Sequence, residues 1–75
     1  MNWHDYITAD AAILVGKPVV RGTRLAVEFI LDLLAQGWTE ADIARNYHLT
    51  AEQIRACIAC ARERLNEERV FAVAA

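Results

Sequence analysis

Between Gly16 and Arg24 the chain reads Gly-Lys-Pro-Val-Val-Arg-Gly-Thr-Arg, and Leu25-Ala26-Val27-Glu28 follows at once. Proline fixes φ and withdraws a backbone donor, whereas glycine supplies the backbone conformations other residues avoid. The stretch must therefore run briefly extended over Pro18 to Arg21, turn at Gly22-Thr23 and deliver the chain into an apolar helix. Gly16, Pro18 and Gly22 are expected to shape a rigid hairpin whose backbone Thr23 and Arg24 bond. A second short extended segment is expected over Tyr6 to Thr8.

Three helices follow from periodicity and caps. From Ala26 to Gln36, Val27, Ile30, Leu31 and Leu34 fall at helical spacing, and Gly37 is placed to end the helix in a left-handed conformation. Phe29 and Leu33 widen this apolar stripe beyond what one partner helix covers, so they are assigned to a subunit interface. Thr39 caps a second, short helix ending near Tyr47, with Glu40 and Asp42 at its positive end. Thr50-Ala51-Glu52-Gln53 has the form of a capping box and opens a third helix. Its apolar register, Ile54, Cys57, Ile58, Ala61 and Leu65, predicts one buried face, with Glu52/Arg55 and Arg64/Glu68 spaced for pairing in solvent. The tail Val70 to Val73 is apolar and β-prone and reads as a short strand.

Seventy-five residues make one domain, with a turn-rich segment 1–25, a trihelical core 26–68 and a tail 69–75. A domain this small has a marginal core, yet 56% of its residues are hydrophobic. The surplus apolar surface of Phe29, Leu33, Val70, Phe71 and Val73 predicts a homodimer or higher oligomer. No early apolar run is long enough for a signal peptide, so a reduced, cytoplasmic setting is expected. Net charge is −2, against the basic balance of most nucleic-acid binders. The N-terminal third is the exception, because Lys17, Arg21 and Arg24 outnumber Asp5 and Asp10 there.

Helices two and three fit a helix-turn-helix frame, with Ile43, Ala44, Tyr47, Leu49, Ile54 and Cys57 at its packing positions. In a DNA reader the first turn of the second helix enters the major groove. Here that turn would offer Thr50, Glu52, Gln53 and Arg55, with Lys17, Arg21 and Arg24 available to the phosphate backbone. A bare trihelical scaffold accounts for the pattern equally well. Gly16-Lys17 lacks the spacing of a phosphate loop. Cys57-x-x-Cys60 lacks a second ligand pair, so Cys57 is read as core, with Cys60 mattering less, and no metal or other cofactor is expected. The chain has no serine and no nucleophile–base set, which argues against an enzyme. Asp5 and Asp10 are read as turn caps, and Trp38 as a lid on the core.

The segment from Gly16 to Glu28, the aromatic–acidic start (Trp3, Asp5, Ile7, Asp10), the Gly37-Trp38-Thr39 break and the ending Glu68-Arg69-Val70-Phe71 together resemble the domain-of-unknown-function family 433. These are small bacterial proteins with a trihelical, homeodomain-like core, often encoded beside a PIN-like ribonuclease. The relatives carry Tyr-Pro-x-Leu-Thr where this chain has the shorter Tyr47-His48-Leu49-Thr50. The resemblance implies an antitoxin that binds and neutralises such a ribonuclease and represses its own promoter by binding operator DNA. Inhibition would come from the apolar tail blocking the enzyme's acidic metal site, or from an arginine such as Arg69 competing for its carboxylates. A stand-alone DNA-binding regulator and a pure oligomerisation module remain the alternatives.

Overall fold

The computed structural model describes residues 1–68. Strands β1 (Ile7–Ala9) and β2 (Pro18–Val20) pair antiparallel, with Ile7 opposite Val20, Thr8 opposite Val19 and Ala9 opposite Pro18. Three helices follow, α1 (Val27–Ala35), α2 (Glu40–Tyr47) and α3 (Ala51–Glu68), so the chain is mainly α with a small N-terminal sheet. The further strand expected over Val70 to Val73 lies outside the described residues.

The turn after β2 is closed by the Thr23 N–H donating to the Val20 carbonyl at 3.0 Å, with Gly22 at φ 83°. That third position of the turn favours glycine because its φ is positive. Thr23 then locks the exit: its hydroxyl donates to the Val20 carbonyl at 2.7 Å and accepts from the Leu25 N–H at 2.9 Å. An isolated bridge from Val19 to Ala26 ties the start of α1 to the free side of β2.

The end of α1, both ends of α2 and the start of α3 each have a local cause. α1 ends in a Schellman motif, in which the Trp38 N–H reaches the Leu33 carbonyl and the Gly37 N–H reaches that of Leu34, both at 3.0 Å, with Gly37 at φ 100°. The Thr39 hydroxyl accepts from the Asp42 N–H at 3.1 Å to start α2, which ends at His48 in a left-handed conformation. The capping box of α3 is formed in both directions, between Thr50 and Gln53.

The core is one cluster between the sheet and the three helices, with Val20, Ile30, Ile43, Ile54, Cys57 and Cys60 fully buried. Each large aliphatic side chain there contributes on the order of 1.5–3 kcal/mol by leaving water. Ile43, Leu49, Ile54 and Cys57 occupy the buried positions expected of the helix-turn-helix frame, and Trp38 packs over the cluster beside Tyr47.

Two assignments are corrected. Leu33 is not available to another subunit as read from its position beside Phe29: only 5% exposed, it fills the core near the C-terminal end of α1. The buried stripe of α3 is also rotated. Ala56 and Cys60 face inward with Ile54 and Cys57, while Ile58 is 43% exposed and Leu65 59% exposed. Small side chains on the inner face let α3 approach its neighbours closely, which leaves the larger Ile58 and Leu65 pointing outward.

Candidate functional site

The residues assigned to DNA contact are mostly engaged within the molecule. Arg21 folds back over the N-terminal turn, its guanidinium donating to the carbonyls of His4 at 3.0 Å and Ile7 at 3.3 Å. It is Arg21, not Arg24, that joins Thr23 in bonding to the hairpin backbone. Lys17 pairs with Glu28 at 2.7 Å. Thr50 and Gln53 are spent on each other in the capping box. Arg55 lies 3.7 Å from Glu40 rather than pairing with Glu52. Arg24 is exposed and makes no hydrogen bond or ion pair among the described residues.

The six candidates do not form one patch of free cations. The two base-reading side chains at the start of α3 are replaced in function by a cap, because the backbone donors of a helix terminus compete for their oxygens. What remains for a duplex is Arg24 and the exposed ion pairs Lys17–Glu28 and Arg55–Glu40. Such pairs, open to solvent and screened by salt, hold their partners by about 1 kcal/mol or less.

The outward side of α3 is more distinctive. Arg55, Ile58 and Arg62 are exposed at spacings of three and four and therefore share one stripe. Together with Ala59 and Met1 they line a shallow depression of about 350 Å³. An apolar patch flanked by two arginines thus stands on a chain of net charge −2. The sequence contained this stripe, but it stayed hidden while Ile58 was counted with the core.

On another side of α3, a groove of about 600 Å³ opens between β2, α1 and the last turns of the helix. Pro18, Val27, Leu31, Ala61 and Leu65 give it an apolar lining, and the Lys17–Glu28 pair and Arg64 form its charged rim. Cys60 lies at its base. Burial pushes the neighbouring Cys57 thiol up to about 12, and the nearby Cys60 adds to the shift, so Cys57 stays protonated and unreactive at neutral pH.

The segment before β2 carries backbone strain. Leu14, Val15 and Gly16 have φ of 47°, 56° and 79°, and Val15 is 93% exposed. Left-handed conformations cost a β-branched residue on the order of 1–2 kcal/mol. Asp10 steadies the loop, its carboxylate accepting from the Ala12 N–H at 2.9 Å, as expected of a turn cap. The N-terminus is pinned to α3: the Trp3 indole donates to Glu63 at 2.6 Å, and the His4 ring stacks on Trp3 with 3.7 Å between centroids.

Among the described residues no group of three or more His, Cys, Asp or Glu side chains is arranged to hold a metal ion. No helix among them is long and apolar enough to cross a membrane. Of the interface candidates, Phe29 is exposed at its edge and meets Tyr47 edge-on at 5.4 Å, whereas Arg69, Val70, Phe71 and Val73 lie outside the described residues.

No curated protein and no solved structure gave a significant match to the chain. A family match covers the β-hairpin, all of α1 and α2 and the buried part of α3. Over residues 7–61 the chain matches the family described as "Protein of unknown function (DUF433)", and it belongs to that family.

Proposed function

We propose that this protein is an antitoxin-type regulator that acts by binding another protein, a PIN-like ribonuclease, and silencing it. The class of partner comes from the family resemblance. The single observation that supports a protein-binding role is the exposed Arg55–Ile58–Arg62 stripe on α3. An apolar side chain between arginines suits a surface with carboxylates around an apolar group. The apolar patch is buried on contact, and each guanidinium can hold a carboxylate through two parallel hydrogen bonds. A ribonuclease with an acidic metal site offers such carboxylates.

The test takes the product of the reading frame adjacent to this gene, co-expressed with the protein, into a ribonuclease cleavage assay. Arg55→Glu with Arg62→Glu should abolish silencing and co-purification while leaving helical content unchanged, since neither side chain enters the core. Full silencing by the double variant would remove the stripe from the reading. Failure of the wild-type protein to bind the enzyme would remove the antitoxin role itself.

Repression of its own operon is a second reading, favoured by the helix-turn-helix frame of α2 and α3 with Arg24 and Arg55 exposed. With so few uncommitted cations, operator binding would be weak per subunit and steeply salt-dependent. Arg55→Ala should relax base preference, and unchanged selectivity would deprive this reading of its recognition helix.

A further inference from the structure

The groove between β2, α1 and the end of α3 is built for an apolar chain segment. Its walls are Leu31, Ala61 and Leu65, and its rim is charged on both sides by Lys17 with Glu28 and by Arg64. The wall residue Leu65 is 59% exposed, one turn before the helix reaches Glu68. Directly after Glu68 the sequence supplies Arg69-Val70-Phe71-Ala72-Val73, whose apolar residues are the complement of such a groove. We infer that the groove receives the Val70–Val73 segment of a second copy of this chain, and that the second copy's groove receives the same segment in return.

The choice of a second copy over the same copy follows from how this chain reverses direction. To lie in its own groove, the segment would have to turn sharply after Glu68 and run back beside Leu65. The two earlier helices make their exits through left-handed residues, Gly37 at φ 100° after α1 and His48 at φ 56° after α2. Residues 69–75 contain no glycine, asparagine, aspartate, histidine or proline. A left-handed step at Val70 or Phe71 carries the steric cost that glycine avoids, so the sequence opposes the reversal. A segment that continues away from its own helix meets a groove only on another molecule. Exchange between two identical copies closes on itself, which fills both grooves and leaves no unmatched end to propagate a fibre.

This inference does not depend on the ribonuclease reading, because the groove and the depression lined by Arg55, Ile58 and Arg62 share no residue. It is tested on the full chain with Phe71→p-benzoylphenylalanine, a photo-crosslinking residue. Copies labelled with ordinary and heavy nitrogen are mixed unfolded, refolded together, irradiated and digested. The expected products join residue 71 to peptides from α1 or the end of α3, with half of the cross-links linking a light to a heavy copy. Cross-links confined to single copies would overturn the exchange in favour of folding back. Cross-links elsewhere, or none, would remove the groove as the docking site. Light scattering on Leu65→Asp supplies a second reading, since this exposed position tolerates charge without entering the core. The wild-type protein should scatter as twice the 8.4 kDa chain and the variant as a single chain with unchanged helical content. A wild-type protein that scatters as one chain, or a Leu65→Asp variant that associates as tightly as the wild type, overturns the proposal.

Discussion

Thr50 and Gln53 cap each other. The Thr50 N–H donates to Gln53 Oε1 at 2.7 Å, and the Gln53 N–H donates to Thr50 Oγ1 at 3.1 Å. Two donors at the start of α3 are thereby satisfied by two side chains that a DNA reader would need free. Thr50→Ala should cost about 1 kcal/mol, and Gln53→Ala about 0.5 kcal/mol. In a domain of this size, 1 kcal/mol lowers Tm by about 4–8 °C. The two changes should be less than additive in a double-mutant cycle followed by thermal melting, because each removes part of the same reciprocal contact. Strict additivity would mean that the two bonds act independently.

The cysteines are both fully buried, which changes the expected ranking of their substitutions. Cys57→Ala and Cys60→Ala should destabilise to similar extents, each by about 1 kcal/mol, as denaturant midpoints will show. A markedly milder Cys60→Ala would restore the earlier assignment of Cys60 to the margin of the core.

Cys57 also gives stability a pH dependence. Its thiol is raised from the ordinary 9.0 to about 12, first by burial and then by Cys60. The folded state holds the proton that the unfolded chain releases above pH 9. This contribution is therefore fully present below pH 9 and is lost as pH rises toward 12. Relative to Cys57→Ala, the wild type should lose stability there with a slope of up to about 1.4 kcal/mol per pH unit. Parallel stability curves for the two proteins between pH 9 and 11 would contradict this. At neutral pH, a thiol reagent should modify Cys57 only as fast as the protein opens.

Leu33 and Ile58 exchange the roles that their spacing suggests. Leu33→Ala should cost about 2–5 kcal/mol, as expected for a truncated core leucine. Ile58→Ala should cost under 1 kcal/mol, because much of that side chain already faces water. Chemical denaturation of the two variants checks the order, and equal losses would contradict the rotated face of α3.

Val15 holds a left-handed backbone while almost wholly exposed. Val15→Asn should raise stability by about 1 kcal/mol, since asparagine tolerates this conformation and no packing is lost. A lower melting temperature for Val15→Asn would show that the loop relaxes around valine in solution.

Helix boundaries were legible in the sequence because their causes are local. Thr39, Gly37 and the Thr50–Gln53 pair act within a few residues of themselves, and each is found as read. The turn at Gly22-Thr23 was legible for the same reason. The inward side of α3 was not, because Ile54 and Cys57 fit either neighbouring stripe. Ala56 and Cys60 win since small residues permit close helix packing, a preference that hydrophobic periodicity does not carry. The candidate site suffered most. Whether Arg21 faces a phosphate or the carbonyls of His4 and Ile7 depends on contacts made 14 and 17 positions away, which no motif encodes.

The bond from Trp3 to Glu63 joins residues 60 positions apart. During synthesis the first of these leaves the ribosome several seconds before the second, at about 5–20 residues per second. Over that interval the aromatic start of the chain and the hairpin behind it have no α3 to rest on. The nascent protein must therefore stay unfinished until nearly all of α3 has emerged, and any truncated product that stops inside α3 would be released with an open core, ready for proteolysis.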